Sequence, residues 1–127
     1  MKRKGILALA LGLIAVLAIG AGTAGAGTAT KYRTKINFLD RAGPNSDIRL
    51  LGDLQTNRKC RGAREMGLFK ETNNGFRLVD ADLSSFNGAW AFRADLTGAP
   101  DIVIKAKRDA RKRGSVVCKS ATLLLEG

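Results

Sequence analysis

The chain has 127 residues, a formal net charge of +11 at pH 7 and no histidine. This length corresponds to a single domain. The missing histidine excludes a Ser-His-Asp or Cys-His catalytic arrangement, and we expect no enzyme activity. An excess of positive charge favours anionic partners, although it also occurs in proteins that bind nothing in particular.

The first 26 residues predict a secretory signal peptide with a helical apolar segment. The basic residues Lys2–Lys4 precede an apolar run over Ile6–Ile19, and Ala24–Ala26 fits the small-x-small cleavage pattern. Cleavage as late as Ala29 fits equally well. An uncleaved membrane anchor is the alternative, because residues 5–30 carry no charge. We expect a secreted or envelope-associated protein that meets the membrane only if this segment is retained.

The two cysteines predict one disulfide. Cleavage after Ala26 would leave 101 residues, a small domain that benefits from a covalent link. Export places Cys60 and Cys118 in an oxidising compartment, which favours pairing over two free thiols. A zinc site is disfavoured because two cysteines without histidine cannot supply four ligands. No metal and no other cofactor are expected.

Apolar residues that alternate with polar ones predict about seven β-strands. In chain order they are Thr30–Leu39, Ile48–Gln55, Arg64–Lys70, Phe76–Val79, Ala89–Phe92, Ile102–Lys107 and Val116–Leu125. Residues 27–47 form an N-terminal strand and loop, and residues 48–127 form the core of the domain. Short antiparallel strands with polar turns predict a single all-β sandwich.

The stretch from Asp80 to Lys107 organises this prediction. Trp90 and Phe92 are two positions apart after an Asn-Gly turn, so both rings face the buried side of one strand. In the last strand, the same alternation places Val116, Cys118 and Leu124 on one face, with Ser120 and Thr122 between them. Residues 108–115 are predicted to form a basic loop. A helix over residues 105–113 is disfavoured because it would have almost no apolar face.

Four segments resemble the carboxypeptidase regulatory-like, or transthyretin-like, β-sandwich family. They are I-R-L-L-G-D-L at 48–54, R-G-A-R-E-M-G-L-F at 61–69, N-G-A-W-A-F at 87–92 and L-T-G-A-P-D-I-V-I at 96–104. The resemblance covers Ile48 to Leu125 but lacks an aromatic residue that the family has in its last motif. The cysteine pair is similar to that of small exported actinobacterial proteins of uncharacterised role. The resemblance implies an Ig-like or transthyretin-like sandwich acting as a non-catalytic accessory or adhesion module.

A basic segment near the C-terminus is the most informative polar feature. It predicts an anion-binding site formed by six side chains: Lys105, Lys107, Arg108, Arg111, Lys112 and Arg113. Such a run suits phosphate or carboxylate polymers. A solvated loop is the alternative. No aromatic residue lies within the run, so no specific nucleic acid is expected.

Two acidic residues allow a second, weaker interpretation. Asp80 and Asp82 could act in acid-base chemistry or bind calcium together with Asn87. Asp and Asn side chains in turns more often accept hydrogen bonds from nearby backbone amides. We therefore expect an exported, non-enzymatic β-sandwich module with a structural or adhesion role and an envelope protein as partner. The alternative is a protein that binds anionic envelope polymers through the basic loop.

Overall fold

The fold is known from a computed structural model that describes residues 28–126, a range that excludes the predicted signal segment. Ten strands and two 3₁₀ turns, Asn45–Asp47 and Arg58–Cys60, make up its regular structure. Within the described residues, no helix has the length and apolar character needed to cross a membrane. The strands are β1 Thr30–Tyr32, β2 Thr34–Ala42, β3 Ile48–Thr56, β4 Glu65–Thr72, β5 Gly75–Leu83, β6 Ala89–Ala94, β7 Asp101–Ala106, β8 Asp109–Arg111, β9 Val116–Cys118 and β10 Ala121–Glu126.

The strands form three sheets, which confirms the all-β prediction. One antiparallel sheet has the order β2-β3-β6, and a second has the order β10-β7-β4-β5. The third is small and mixed, with β9 parallel to β1 on one side and antiparallel to β8 on the other.

The two larger sheets contribute to one cluster of buried apolar side chains. Leu50 and Phe92 come from the three-stranded sheet β2-β3-β6, and Leu68 and Ile104 come from the four-stranded sheet. Ile36 of β2 belongs to the same cluster and is 4% exposed. The core therefore includes β2, a strand that lies before residue 48 in the chain.

Trp90 and Phe92 face the core together, as predicted. Each is 2% exposed, and their ring centroids are 5.4 Å apart. The Trp90 ring lies across its pairing partner Gly52, where an added Cβ would be 2.1 Å from a ring carbon. Its Nε1 donates to the carbonyl of Asp53 at 3.1 Å. Glycine at position 52 is thus required for the large ring to fit over β3.

The predicted last strand is wrong in both extent and orientation. It is divided into β9 and β10 by Lys119 and Ser120, and this interruption resets the alternation of side chains. Leu123 and Leu125 consequently pack against the core, whereas Leu124 is exposed. The predicted basic loop is also partly a strand, since β8 pairs with β9. Likewise, β5 extends from Gly75 to Leu83, whereas the sequence predicted a strand over Phe76–Val79 alone.

Candidate anion-binding site

The disulfide joins two basic segments at one end of the larger sheets. Cys60 and Cys118 are bonded, with their Cα atoms 5.5 Å apart and both side chains fully buried. The predicted pairing is therefore confirmed. The link holds the 3₁₀ turn Arg58–Cys60 against β9, so Arg58 and Lys59 lie beside a segment 58 positions away.

A buried arginine fixes the same end of the molecule. Arg64 is 0% exposed, and burial lowers the pKa of its guanidinium, with the nearby charge of Arg111 lowering it further. The side chain still carries its charge, because arginine is not deprotonated in proteins. Its donors reach four acceptors in different segments: Thr34 Oγ1 at 3.0 Å and the carbonyls of Cys60 at 3.2 Å, Lys107 at 2.8 Å and Lys119 at 2.8 Å.

Arg111 was predicted from the sequence to bind anions, but its guanidinium also has a structural role. Its Nε donates to Asp109 at 2.8 Å, and its Nη1 donates to the carbonyl of Lys59 at 2.8 Å. Its Nη2 donates to the carbonyl of Gly62. These contacts occupy the guanidinium and tie β8 to the Arg58–Cys60 turn, so Arg111 positions the surrounding charges.

Lys112 and Arg113 form the tip of the β8–β9 hairpin. Both have left-handed backbone conformations, with φ of 51° and 57°. The amide of Gly114 donates to the carbonyl of Arg111 at 3.0 Å, which closes a tight turn around them. Turns of this kind favour Asn-Gly, since each other residue in this conformation costs about 1–2 kcal/mol. The hairpin instead presents two exposed basic side chains.

Strand directions place four segments at this end of the larger sheets. They are residues 28–33, 57–64, 84–88 and 107–120, and together we call them the basic pole. They contain twelve Lys and Arg residues and a single acid, Asp109, which is paired with Arg111. The rest of the described chain contains seven basic and ten acidic residues. The positive charge of residues 28–126 is thus concentrated at one end.

The predicted anion-binding residues do not all lie at the basic pole. Arg108, Lys112 and Arg113 are exposed at the basic pole. Lys107 is also there, but it forms an ion pair with Glu65 at 3.2 Å. Lys105 lies outside the pole, on the outer face of the four-stranded sheet, with its Nζ 5.1 Å from the centroid of the Phe69 ring.

Sequence reasoning missed several members of the basic pole. These are the exposed residues Lys31, Arg33, Arg58, Lys59 and Lys119 and the partly buried Arg61. Four of them flank the disulfide cysteines, in R-K-C-R at 58–61 and C-K at 118–119. The predicted disulfide places these two segments side by side. It was therefore the feature of the sequence from which the clustering of their charges could have been predicted.

An exposed aromatic ring accompanies these charges. Phe86 is 88% exposed, on the loop between β5 and β6. That loop is fastened to the 57–64 segment, because the Ala63 amide donates to the Ser84 carbonyl at 2.8 Å and an added Cβ at Gly62 would lie 3.0 Å from Phe86 Cα. The aromatic residue that the basic sequence run lacked is thus supplied by another loop.

Family models, curated proteins and solved structures show no match to this chain. The similarity to transthyretin-like domains therefore depends only on the short motifs that carry it. Function has to be inferred from the geometry and charge of the folded chain.

Asp80 and Asp82 are bonded to the backbone of the neighbouring strand β6. Their carboxylates accept backbone N–H groups of β6, from Arg93 at 2.8 Å and from Ala91 at 3.0 Å. Among residues 28–126, no group of three or more Cys, Asp or Glu side chains could hold a metal ion. Asn87 accepts from Ala89 at 3.2 Å and from Ser85, so its side chain serves the turn.

Proposed function

We propose that this protein is an exported, non-enzymatic β-sandwich protein that binds an anionic polymer of the cell envelope through its basic pole. One observation carries the proposal: besides the buried Arg64, eleven basic residues are gathered at one end of the molecule, with Asp109 as the acid within these segments and Glu65 paired with Lys107 at their border. A surface of one sign attracts polyanions and raises their rate of association. Counterions released from the polymer add a favourable contribution that depends on salt concentration.

The sandwich in this proposal is supported by the common core of the two larger sheets. Face-to-face packing of antiparallel sheets around such a core is typical of Ig-like and transthyretin-like domains. A non-enzymatic role fits the absence of histidine from the sequence. Export is supported by the sequence of residues 1–26 and by the disulfide.

The hairpin tip gives the binding hypothesis its sharpest support. Lys112 and Arg113 occupy backbone conformations that asparagine and glycine would adopt at lower cost. Strain that persists at one position often accompanies a functional requirement for its side chain. We infer that the two positive charges are kept at the tip because they contact the polymer.

The test replaces the tip with the sequence that its backbone favours. The double variant Lys112→Asn with Arg113→Gly should raise the free energy of unfolding by about 1–2 kcal/mol. It should also elute from immobilised heparin or teichoic acid at lower salt. The slope of log binding constant against log salt should fall by about 1–2, since two anion contacts are lost.

A matched control removes the same charge from the opposite end. Arg49→Gln with Arg77→Gln also lowers the net charge by two, but both residues are exposed on strands outside the basic pole. This control should keep most of the retention on the polymer. If the two double variants elute at the same salt concentration, binding reflects net charge alone and the proposed site is wrong.

Phe86 allows a separate test of polymer binding at the same surface. An exposed aromatic ring beside bound polyanion stacks on sugar or base rings and adds to affinity independently of salt. Phe86→Ser should therefore weaken retention without changing the salt slope. Because the side chain is 88% exposed, this variant should fold normally.

A further inference from the structure

The outer face of the four-stranded sheet contains a groove that the basic pole does not use. Its volume is about 660 Å³, within the roughly 300–1,000 Å³ typical of small-molecule sites. Side chains on the outer face of β4 and β5 line it, chiefly Phe69, Leu78 and Leu83, and Lys105 of β7 lies at its wall.

Gly67 lies on the floor of the groove. It lies between Ala81 of β5 and Lys105 of β7 in the register of the sheet, at the middle of the outer face. An added Cβ would be 2.9 Å from Leu78 Cδ1 and 3.0 Å from Phe69 Cε1, so these side chains lean over the glycine. A side chain at position 67 would displace these two side chains and change the shape of the groove.

The groove belongs to an unusually apolar surface. Eight large apolar side chains are exposed within the described chain, and four of them belong to β5 and β10, the edge strands of this sheet. They are Phe76, Leu78, Leu83 and Leu124. Single exposed apolar residues are normal, whereas a concentration on one face marks a binding surface.

One positive charge in the groove has no ionic partner. Lys107 pairs with Glu65 at 3.2 Å, but Lys105 forms no salt bridge with any residue from 28 to 126. Its ammonium is 5.1 Å from the Phe69 centroid. The Asp82 carboxylate at the groove edge is occupied by the amides of Leu83 and Ala91, at 2.9 and 3.0 Å. The groove therefore combines an apolar floor with an unpaired cation.

We infer that this groove binds a single-chain amphiphilic anion, with its alkyl chain against Phe69, Leu78 and Leu83 and its head group at Lys105. The charge of Lys105 selects an anionic head, and the apolar side chains bury the chain. An anionic head alone would bind weakly at an exposed lysine, so the apolar side chains supply most of the affinity and the charge of Lys105 favours an anionic head over an uncharged one. This inference does not depend on polyanion binding at the basic pole.

Isothermal titration calorimetry with the mature secreted chain tests it. The probe is dodecyl phosphate below its critical micelle concentration, compared with inorganic phosphate and with dodecyl maltoside. We expect one molecule of dodecyl phosphate per chain, binding at least tenfold weaker for inorganic phosphate, and binding severalfold weaker for dodecyl maltoside. Equal affinity for inorganic phosphate would overturn the role of the apolar floor, and equal affinity for dodecyl maltoside would overturn the role of Lys105.

Two variants locate the probe. Lys105→Gln should weaken dodecyl phosphate binding severalfold and Leu78→Gln about tenfold, and both positions are exposed enough for the chain to fold. Lys35→Gln, on the other large sheet, is the matched control and should leave binding unchanged. Unchanged binding in both groove variants would overturn the inference.

The Lys112→Asn, Arg113→Gly variant separates the two proposals. It should retain full affinity for dodecyl phosphate while eluting from heparin at lower salt. Loss of dodecyl phosphate binding in this variant would assign the amphiphile to the basic pole and overturn the groove.

Discussion

The Oδ2 atom of Asp80 accepts a hydrogen bond of 2.8 Å from the backbone N–H of Arg93, which belongs to a different sheet. Asp82 repeats the contact with Ala91 at 3.0 Å. The other oxygen of each carboxylate accepts the N–H of the following residue, at 2.9 Å in both cases. Two carboxylates thus bridge the edges of β5 and β6, where the sheets have no backbone ladder between them.

Removing either bridge should weaken the joint between these sheets. Asp80→Ala and Asp82→Ala should each lower the free energy of unfolding by about 1–2 kcal/mol, since each leaves a backbone amide of β6 without its charged acceptor. Urea denaturation measures the loss. Asp40→Ala is the control, because Asp40 accepts only the amide of Arg41 next to it. Equal losses at all three positions would mean that the cross-sheet bonds contribute nothing.

Arg64 should be among the residues whose replacement is least tolerated. Arg64→Met keeps much of the volume but leaves four oxygen acceptors without their donor, and we expect a loss of about 3–5 kcal/mol. Arg64→Lys should also destabilise strongly, because an ammonium cannot reach four separated acceptors. Arg93→Met, which removes the exposed ion pair with Asp47, is the comparison and should have a much smaller effect. A tolerated Arg64→Lys would contradict the proposed geometry.

The Asp47–Arg93 pair should make a small, pH-dependent contribution to stability. The hydrogen bond and charge of Arg93 hold the pKa of Asp47 below its ordinary value. A lowered pKa in the folded state stabilises the protein above the unfolded pKa of about 4, and this contribution disappears as pH falls through the folded pKa. Wild type should therefore be more stable than Asp47→Asn at pH 7 but equally stable near pH 2. Thermal unfolding at both pH values measures the difference, and a constant difference would refute it.

The disulfide should contribute both stability and site geometry. The chain-entropy account predicts that Cys60→Ser with Cys118→Ser lowers stability by about 4 kcal/mol for a separation of 58 residues. Retention on heparin should fall as well, because the Arg58–Cys60 turn is no longer bonded to β9. Thiol titration of the unfolded, unreduced secreted protein should detect no free thiol. Two titratable thiols would rule out the bond in the exported protein.

Export should remove the N-terminal segment. The basic residues Lys2–Lys4, the apolar run and the small residues at 24–26 predict cleavage that leaves Gly27 or Thr30 at the new N-terminus. Intact-mass measurement of secreted protein identifies it. A membrane fraction that still carries Met1 would instead identify an uncleaved anchor.

Local alternation was sufficient to locate most strands and the buried aromatic pair. Trp90 and Phe92 could be placed on one face because a strand has a period of two residues, whatever it packs against. The disulfide followed equally from composition, since only one pairing of two cysteines exists. Alternation predicted the wrong face for Leu124. The two residues between β9 and β10 interrupt the strand, and the local sequence pattern does not indicate this interruption.

The roles of the charged residues were decided by tertiary structure. Asp80 and Arg111 are typical of turns and basic loops in sequence, but their hydrogen-bond partners belong to segments 13 and 52 residues away. The basic pole likewise depends on strand order, which brings the Arg58–Cys60 turn, the Phe86 loop and the β8–β9 hairpin to one end. Sequence determines what each side chain can donate, accept or bury. Long-range strand pairing determines which groups it meets, because the sheets bring together residues far apart in the chain.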